Sequence, residues 1–502
     1  MKPAVAIITL YDIESIGARS IFSYLKSSGV DVHQIFFKEW TWRGAMRFTE
    51  REAQLLVDEL NRREIKIAAF AVRSIFFHQA VELTEKVKQG CPGIKVVWGG
   101  CHPTILPEEC IKHCDTVVIG EGEKPLLDMV NAFDTDRWLK VPNTWIAKDG
   151  EVVKNQLREL NDLDELAALD LDSANKCLIH DEAVVEGDPI VSRIKGGTYT
   201  FMFSRGCPYN CTYCGNRTLI DSQCTTPASF IRRRSVDKVI NELKDVKEKF
   251  GVTRFSSIDE VFLHDNKWAE EFSRRYEDEI GLPFHCQIHP TQITENTISM
   301  FRRMGVQTIS IGVQSGSEET RMDIYNRKTP DALLVEKSKI LRRAGIFVTY
   351  DFIFGNPIES ERAEQDTVDL LLRLPKPYGV NTYKLQYLPG TALTERLLKE
   401  GLISPADVQG GAPDVIPQFD LASYDPHTMD PVSLFWTNLV FLLATVTVVR
   451  TPEKTWAFSP VPRVFVKVLA YLKPVRLVNA MTWVIRKQRA FYSLVGKKLT
   501  AN

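Results

Sequence analysis

Short apolar runs of strand length alternate with helix-period segments over two stretches of this chain, and that alternation restricts the fold more than any other feature. In residues 1–135, Val5–Leu10, Val32–Phe37, Ile67–Val72, Lys95–Trp98 and Thr116–Ile119 read as buried parallel strands, with helical spacing in Ala18–Lys26 and Gln79–Gln89. A doubly wound, Rossmann- or flavodoxin-like open sheet follows, and such sheets take ligands at the carboxyl ends of their strands. The segments at those ends are Tyr11–Gly17, Ala71–Phe77, Gly99–Thr104 and Gly120–Glu123. Residues 136–197 read as a connection, with a hairpin across Asp149-Gly150 and an acidic, leucine-rich linker at Leu163–Asp172. Residues 198–400 hold six more β/α units. Their strands are Tyr199–Ser204, Thr253–Ile258, Phe284–Ile288, Gln307–Gly312, Phe347–Phe354 and Asn381–Leu388. Residues 401–502 read as a mainly helical region that ends in a basic, aromatic tail.

The first strand of the second stretch leads into Cys207, Cys211 and Cys214, three thiols within eight residues. Three thiolates hold three irons of a [4Fe–4S] cluster and leave the fourth without a protein ligand, whereas a structural cluster normally takes four cysteines. Structural zinc favours four ligands in paired sets, and the second pair is missing here. Cys224 is available as a fourth ligand, with nothing in its surroundings that requires it. A disulfide framework does not suit ten cysteines scattered over 502 residues in a chain that starts at Met1 without an apolar leader.

With Tyr213 before the last thiol, the run resembles the signature of the radical S-adenosylmethionine (SAM) superfamily. The resemblance implies that SAM chelates the open iron and that the six β/α units form a partial (β/α)6 barrel. A one-electron reductant of the flavodoxin or ferredoxin type would drive cleavage of SAM to methionine and a 5′-deoxyadenosyl radical. Asp259-Glu260 falls where the family places an acid for the SAM amino nitrogen, and a carboxylate suits an ammonium. Gln314-Ser315 resembles the ribose and methionine-carboxylate segment, with Gln314 in place of the usual acid. Gly355, within Phe352–Glu359, matches the adenine-cradling pattern. Glu260, Ser315 and Gly355 also read as turn-shaping residues. Arg205 is placed to balance a reduced cluster or a carboxylate, and equally reads as a surface arginine.

The amino-terminal loops resemble the B12-binding domain that precedes the radical domain in many members of that superfamily. Gly99-Gly100 followed by His102-Pro103-Thr104, and Gly120-Glu121-Gly122-Glu123, carry the likeness. It implies cobalamin contacts at Asp12, Gly17, Ser74, Gly99, Gly100, His102, Gly120, Glu121 and Gly122. The Asp-x-His-x-x-Gly motif of other B12 enzymes is absent, and its remnant, Asp12 to Gly17, has Ser15 and no histidine. A cobalamin held without that axial histidine is therefore implied. His78 and His102 are candidates to come near the corrin, although a lone loop histidine is more often a hydrogen-bonding group. The alternative is a flavodoxin-like module that binds a nucleotide or nothing.

The function these likenesses imply is methylation of an unactivated carbon of a small-molecule or lipid-like substrate. The runner-up is a radical SAM enzyme that does not transfer methyl, resembling the anaerobic cyclase that acts on magnesium porphyrin. A non-catalytic cobalamin or iron–sulfur sensor is the reading from a different class. Composition is that of a globular protein, with 44% hydrophobic and 25% charged residues. The net charge of −1 hides an asymmetry, because residues 450–502 hold eleven Lys or Arg against Glu453 alone. Val432–Val449 is an uncharged run at the lower limit for a spanning helix. It reads either that way or as a buried helix. The basic, aromatic tail suits an anionic membrane surface; nucleic acid would accept the same charges, but no recognition motif accompanies them. A cytoplasmic location is expected, with membrane contact through the tail as the alternative.

Overall fold

The structure is a computed structural model and describes residues 2–40, 47–223, 226–409 and 435–440. It forms two compact units. One contains the described residues of Met1–Pro208, Tyr213–Glu260 and Tyr387–Pro417, the other those of Tyr209–Thr212, Val261–Gln386 and Gln418–Asn502.

The first unit is built on β1 (Ala4–Leu10), β2 (Val32–Phe37), β3 (Ile65–Ala71), β4 (Lys95–Gly99) and β5 (Thr116–Val118). It continues with β6 (Thr144–Lys148), β7 (Glu151–Lys154), β8 (Lys176–His180) and β9 (Ala183–Glu186). These nine strands form one sheet in the order β7-β6-β5-β4-β3-β1-β2-β8-β9. β1 pairs in parallel with both β2 and β3, and β3 with β4. Central strands covered on both faces have no polar side to show, which is why β1 is apolar throughout except at Thr9. Alternate residues serve separate cores: Ala6, Ile8 and Leu10 pack on one face, Val5 and Ile7 on the other. Helix Glu50–Arg62 is fixed at its start by a capping box between Thr49 and Glu52.

Residues 136–197, expected as a connection, supply four of these strands. The hairpin across Asp149-Gly150 forms as β6 and β7, antiparallel on one edge. On the other edge β8 runs parallel to β2, and β9 folds back on it. A buried ion cluster ties this edge down. Arg19 donates to Asp188 at 2.7 and 2.8 Å, and Lys176 donates to Asp188 at 2.9 Å.

The first unit also contains β10 (Thr198–Phe201), β11 (Ser204–Arg205), β12 (Arg232–Arg233) and β13 (Arg254–Ser257). β10 pairs in parallel with β13, and β11 with β12 antiparallel. The single strand expected over Tyr199–Ser204 is thus two short ones, divided at Met202 and Phe203.

In the second unit β14 (Phe284–Gln287), β15 (Val306–Gln314), β16 (Phe347–Phe354) and β17 (Tyr378–Lys384) pair in parallel, each with the next. On β16, Val348, Tyr350, Phe352 and Phe354 are buried while the residues between them are half-buried. Tyr350 donates its hydroxyl to Ser338 of helix Asp331–Arg343, which marks the helix-covered face. The opposite face carries Ser310, Thr349, Asp351, Asn381 and Tyr383. Residues 435–440 are helical and buried, Phe435, Trp436, Leu439 and Val440 among them. The rest of Val432–Val449 and the basic tail lie outside the described residues. No helix among the described residues is long and apolar enough to cross a membrane.

Candidate functional site

A cavity opens in the first unit beyond the carboxyl ends of β1, β3, β4 and β5. Its floor is apolar, with Ile7, Ala69, Ala71, Val97 and Val118, and its rim is formed by loops. Asp12, Gly17, Gly99, Gly100, Gly120, Glu121 and Gly122 all line it. Gly100 has φ +106°, and a Cβ there would stand 2.9 Å from the Val72 carbonyl, so the sharp turn after β4 needs a glycine. Thr9 lines the floor, is 1% exposed, and its hydroxyl has no hydrogen-bond partner.

Ser74 and His102 are not among the lining residues. They bond each other, His102 Nδ1 to Ser74 Oγ at 3.0 Å, with the His102 ring against Phe77. Burial, with a further contribution from His78, holds His102 at a pKa of about 4, so it sits neutral in the core. No histidine is found among the described residues that line the cavity.

The cavity wall is completed by Ser204, Arg205 and Gly206, the residues that lead into Cys207. Arg205 Nη1 donates to Glu121 at 2.7 Å and Nη2 to Glu123 at 2.6 Å. Arg232, its cross-strand neighbour on β12, donates to both oxygens of Glu121 at 3.0 and 2.8 Å. Burial would raise the Glu121 carboxyl, but the Arg232 hydrogen bond and the Arg205 charge outweigh it and hold its pKa at about 2. Burial opposes the Arg205 charge as well, yet the Glu123 and Glu121 carboxylates raise its pKa. Arg205 is therefore a paired, partly buried group and not a surface arginine.

Asp259, expected next to Glu260 as part of a SAM contact, is fully buried. It accepts hydrogen bonds from the Phe203 and Ser204 backbone N–H groups at 3.1 and 2.6 Å and from the Ser204 and Ser257 hydroxyls. These bonds divide the first strand and fix the entry to the cysteine loop. Burial dominates them and pushes the Asp259 pKa up to about 6. Glu260 lines the cavity, and burial raises its carboxyl too.

Two of the three cysteines have a dipolar or cationic neighbour. Cys214 is the N-cap of helix Gly215–Ser222, where the helix dipole favours an anion. In the second unit Arg327 Nη1 donates to Cys211 Sγ at 3.7 Å. Gly206, at φ +98°, makes the turn into Cys207 where a Cβ would strike Phe230. Tyr213 is half-buried. Among the described residues no three His, Cys, Asp or Glu side chains already stand as a metal-binding group. The donor set of three thiols, two of them so supported, fits a cluster.

In the second unit Gln314 ends β15 at φ +78°, and its amide lies over Gly312. Ser315 is buried and donates to Glu359 at 2.6 Å, which joins the two segments expected to hold SAM. Burial pushes Glu359 up to about 7, with the Ser315 bond working against it. Gly355, at φ +77°, turns the chain out of β16. Next to it Asn356 is 4% exposed with an unpartnered Nδ2, a donor that fits an accepting ligand. Arg327 and Asp351 were missed in the sequence. The Arg327 charge acts on Asp351, which burial pushes up to about 6, and only the fold brings them near each other.

Comparison with known proteins finds two family matches along the chain, the second of which runs across both units. Residues 3–130 match the B12 binding domain and residues 201–371 the radical SAM superfamily. The chain belongs to the radical SAM proteins that carry an amino-terminal B12-binding domain, and the cofactors of these domains are a [4Fe–4S] cluster, SAM and cobalamin. It is 26% identical over 314 residues to an uncharacterized methyltransferase of Pyrococcus horikoshii, covering 61% of this chain and 64% of that one. It is 25% identical over 304 residues to the anaerobic magnesium-protoporphyrin IX monomethyl ester cyclase of Rubrivivax gelatinosus, covering 57% and 50%. The matches thus span half to under two thirds of these relatives' lengths. A similar fold occurs in the radical SAM methyltransferase TsrM of Kitasatospora setae, solved with cobalamin and a [4Fe–4S] cluster. The TM-score is 0.62 at 14% identity, over 80% of this chain and 75% of that one.

Proposed function

We propose that the protein is a cobalamin-dependent radical SAM enzyme that methylates an unactivated carbon. The observation that carries this reading is the shared cavity, walled on one side by Gly99–Gly100 and Gly120–Gly122 and on the other by Ser204–Gly206, one residue before Cys207. When bound, the cluster supplies the electron that cleaves SAM, and cobalamin carries the methyl group. Cys207, Cys211 and Cys214 would hold the cluster. Glu260, Gln314, Ser315 and Gly355 would hold SAM, Asn356 adding a donor. Asp12, Gly17, Gly99, Gly100, Gly120, Glu121 and Gly122 would hold cobalamin, with no imidazole among the described residues of the cavity wall to ligate cobalt.

The open face of β15 to β17 bears Ser310, Thr349, Asp351, Asn381 and Tyr383, and Asn381 donates to Asp351 at 2.8 Å. Such a face suits a substrate whose reacting end is polar and offers a donor to Asp351. That favours a polar substrate over a lipid-like one. A low-potential flavodoxin or ferredoxin is the proposed reductant. Membrane contact through residues after 450 is a separate proposal, tested by flotation with anionic liposomes.

The second reading, a ring-forming enzyme without methyl transfer, is favoured by the similarity to the cyclase of Rubrivivax gelatinosus. Anaerobic turnover with isotope-labelled SAM separates the two. Methyl transfer requires S-adenosylhomocysteine together with 5′-deoxyadenosine and label in the product. Deoxyadenosine alone, with an unlabelled product, supports the cyclase-like reading.

A further inference from the structure

We propose that Arg205 is a positioning residue that couples cobalamin binding to cluster binding. The proposal rests on the cobalamin reading above. Both flanks of the cysteine loop are tied to segments that line the cobalamin cavity. On the entry side, Arg205 spans two carboxylates of one loop, Glu121 at 2.7 Å and Glu123 at 2.6 Å. Glu123 is closed in further by Ser20 Oγ at 2.8 Å and Asn161 Nδ2 at 3.1 Å, and Glu121 by Arg232 and the Asn161 backbone N–H at 2.8 Å. Two arginines against two glutamates leave the set neutral, so removing one member exposes an unbalanced charge with little water around it. On the exit side, helix Gly215–Ser222, capped by Cys214, packs on helix Cys101–Ile105 of the cavity rim. Just after it, Gln223 lies so close to Gly120 that a Cβ there would meet its Oε1 at 2.5 Å.

A ligand that presses on Gly120–Gly122 shifts the carboxylates that hold Arg205, two residues from Cys207. A cluster that fixes Cys207 holds the same arginine from the other side. Energetic coupling between two binding sites is reciprocal, so either ligand changes the affinity for the other. An arginine spans two carboxylates with a planar fork of fixed geometry, which the single ammonium of a lysine does not reproduce.

The test uses the full chain and hydroxocobalamin as the probe. It is titrated anaerobically into cluster-reconstituted and cluster-free protein, for the wild type, Arg205→Gln, Arg205→Lys and Glu121→Gln. The wild-type affinities should differ by about 5-fold or more between the two forms. Arg205→Gln and Glu121→Gln should bring that ratio close to one, and Arg205→Lys should leave it in between. Electron paramagnetic resonance of the reduced cluster, recorded with excess reductant, should differ with and without bound corrinoid in the wild type and not in Arg205→Gln. A purely structural role would weaken binding in both forms alike and leave the ratio untouched. Equal wild-type affinities, or a wild-type ratio in Arg205→Gln, overturn the coupling while the cobalamin reading stands. Failure of the wild type to bind hydroxocobalamin overturns both. Should Arg205→Gln not fold, Arg205→Lys carries the comparison, and an unchanged ratio there overturns the proposal.

Discussion

Glu359 combines a carboxyl raised to about 7 by burial with a direct bond from Ser315. In the folded protein it keeps its proton up to about 7, while the unfolded chain loses it near 4.5. The folded state therefore binds more protons across that window, and stability falls as pH rises from 4.5 to 7 and is level beyond it. Glu359→Gln keeps an acceptor for Ser315 and removes the titration. Denaturant unfolding of the two proteins should show slopes that differ by roughly 1 kcal/mol per pH unit between 4.5 and 7 and agree above it. Both residues were visible in the sequence as members of separate segments. Their pairing was not, because it depends on how the ends of β15 and β16 meet. His102 teaches the opposite lesson: its motif context stood out, yet its ring turns into the core against Phe77.

At the scale of elements, the apolar runs announced the central strands because a parallel strand buried on both faces has no polar residues to mask it. β8 was hidden because it opens with Lys176, a charge that marks a linker until its partners are known. Lys176, Arg19 and Asp188 are all buried, and Asp188 is the acid that both cations share. Asp188→Ala should lower stability by about 3 kcal/mol, because it leaves Arg19 without a carboxylate away from water, whereas Lys176 keeps Asp170 at 3.0 Å. A lowered unfolding midpoint would show it, and an unchanged one would mean that Asp170 and solvent compensate. The break between β10 and β11 was equally hidden, since it is imposed by Asp259, fifty-five residues on from Ser204. The turn after β4 was legible as Gly99-Gly100. Gly100→Ala should cost about 2 kcal/mol through a left-handed φ and a close carbonyl, and weaken hydroxocobalamin binding in the same protein. Thermal unfolding and a cobalamin titration measure the two effects, and a variant that changed neither would remove the strain argument.

At the scale of the whole molecule, the glycine loops at the ends of the amino-terminal strands share a cavity with Ser204–Gly206, the segment that leads into the cysteine run. The glycine pairs and the closely spaced thiols were each readable alone, because both are local signals. That the loops and this segment share a cavity was not, since it rests on Glu121 and Glu123 reaching Arg205 across more than eighty residues of chain. The central claim is that this chain holds a three-cysteine cluster and a corrinoid together. The most direct measurement is iron, sulfide and cobalt content with electron paramagnetic resonance, on anaerobically reconstituted wild type and on the variant with Cys207, Cys211 and Cys214 all changed to Ala. The wild type should contain a [4Fe–4S] cluster whose reduced signal shifts when SAM is added, together with bound corrinoid. The variant should lose the iron and keep corrinoid binding. Zinc in place of iron, or a cluster signal indifferent to SAM, would contradict the account.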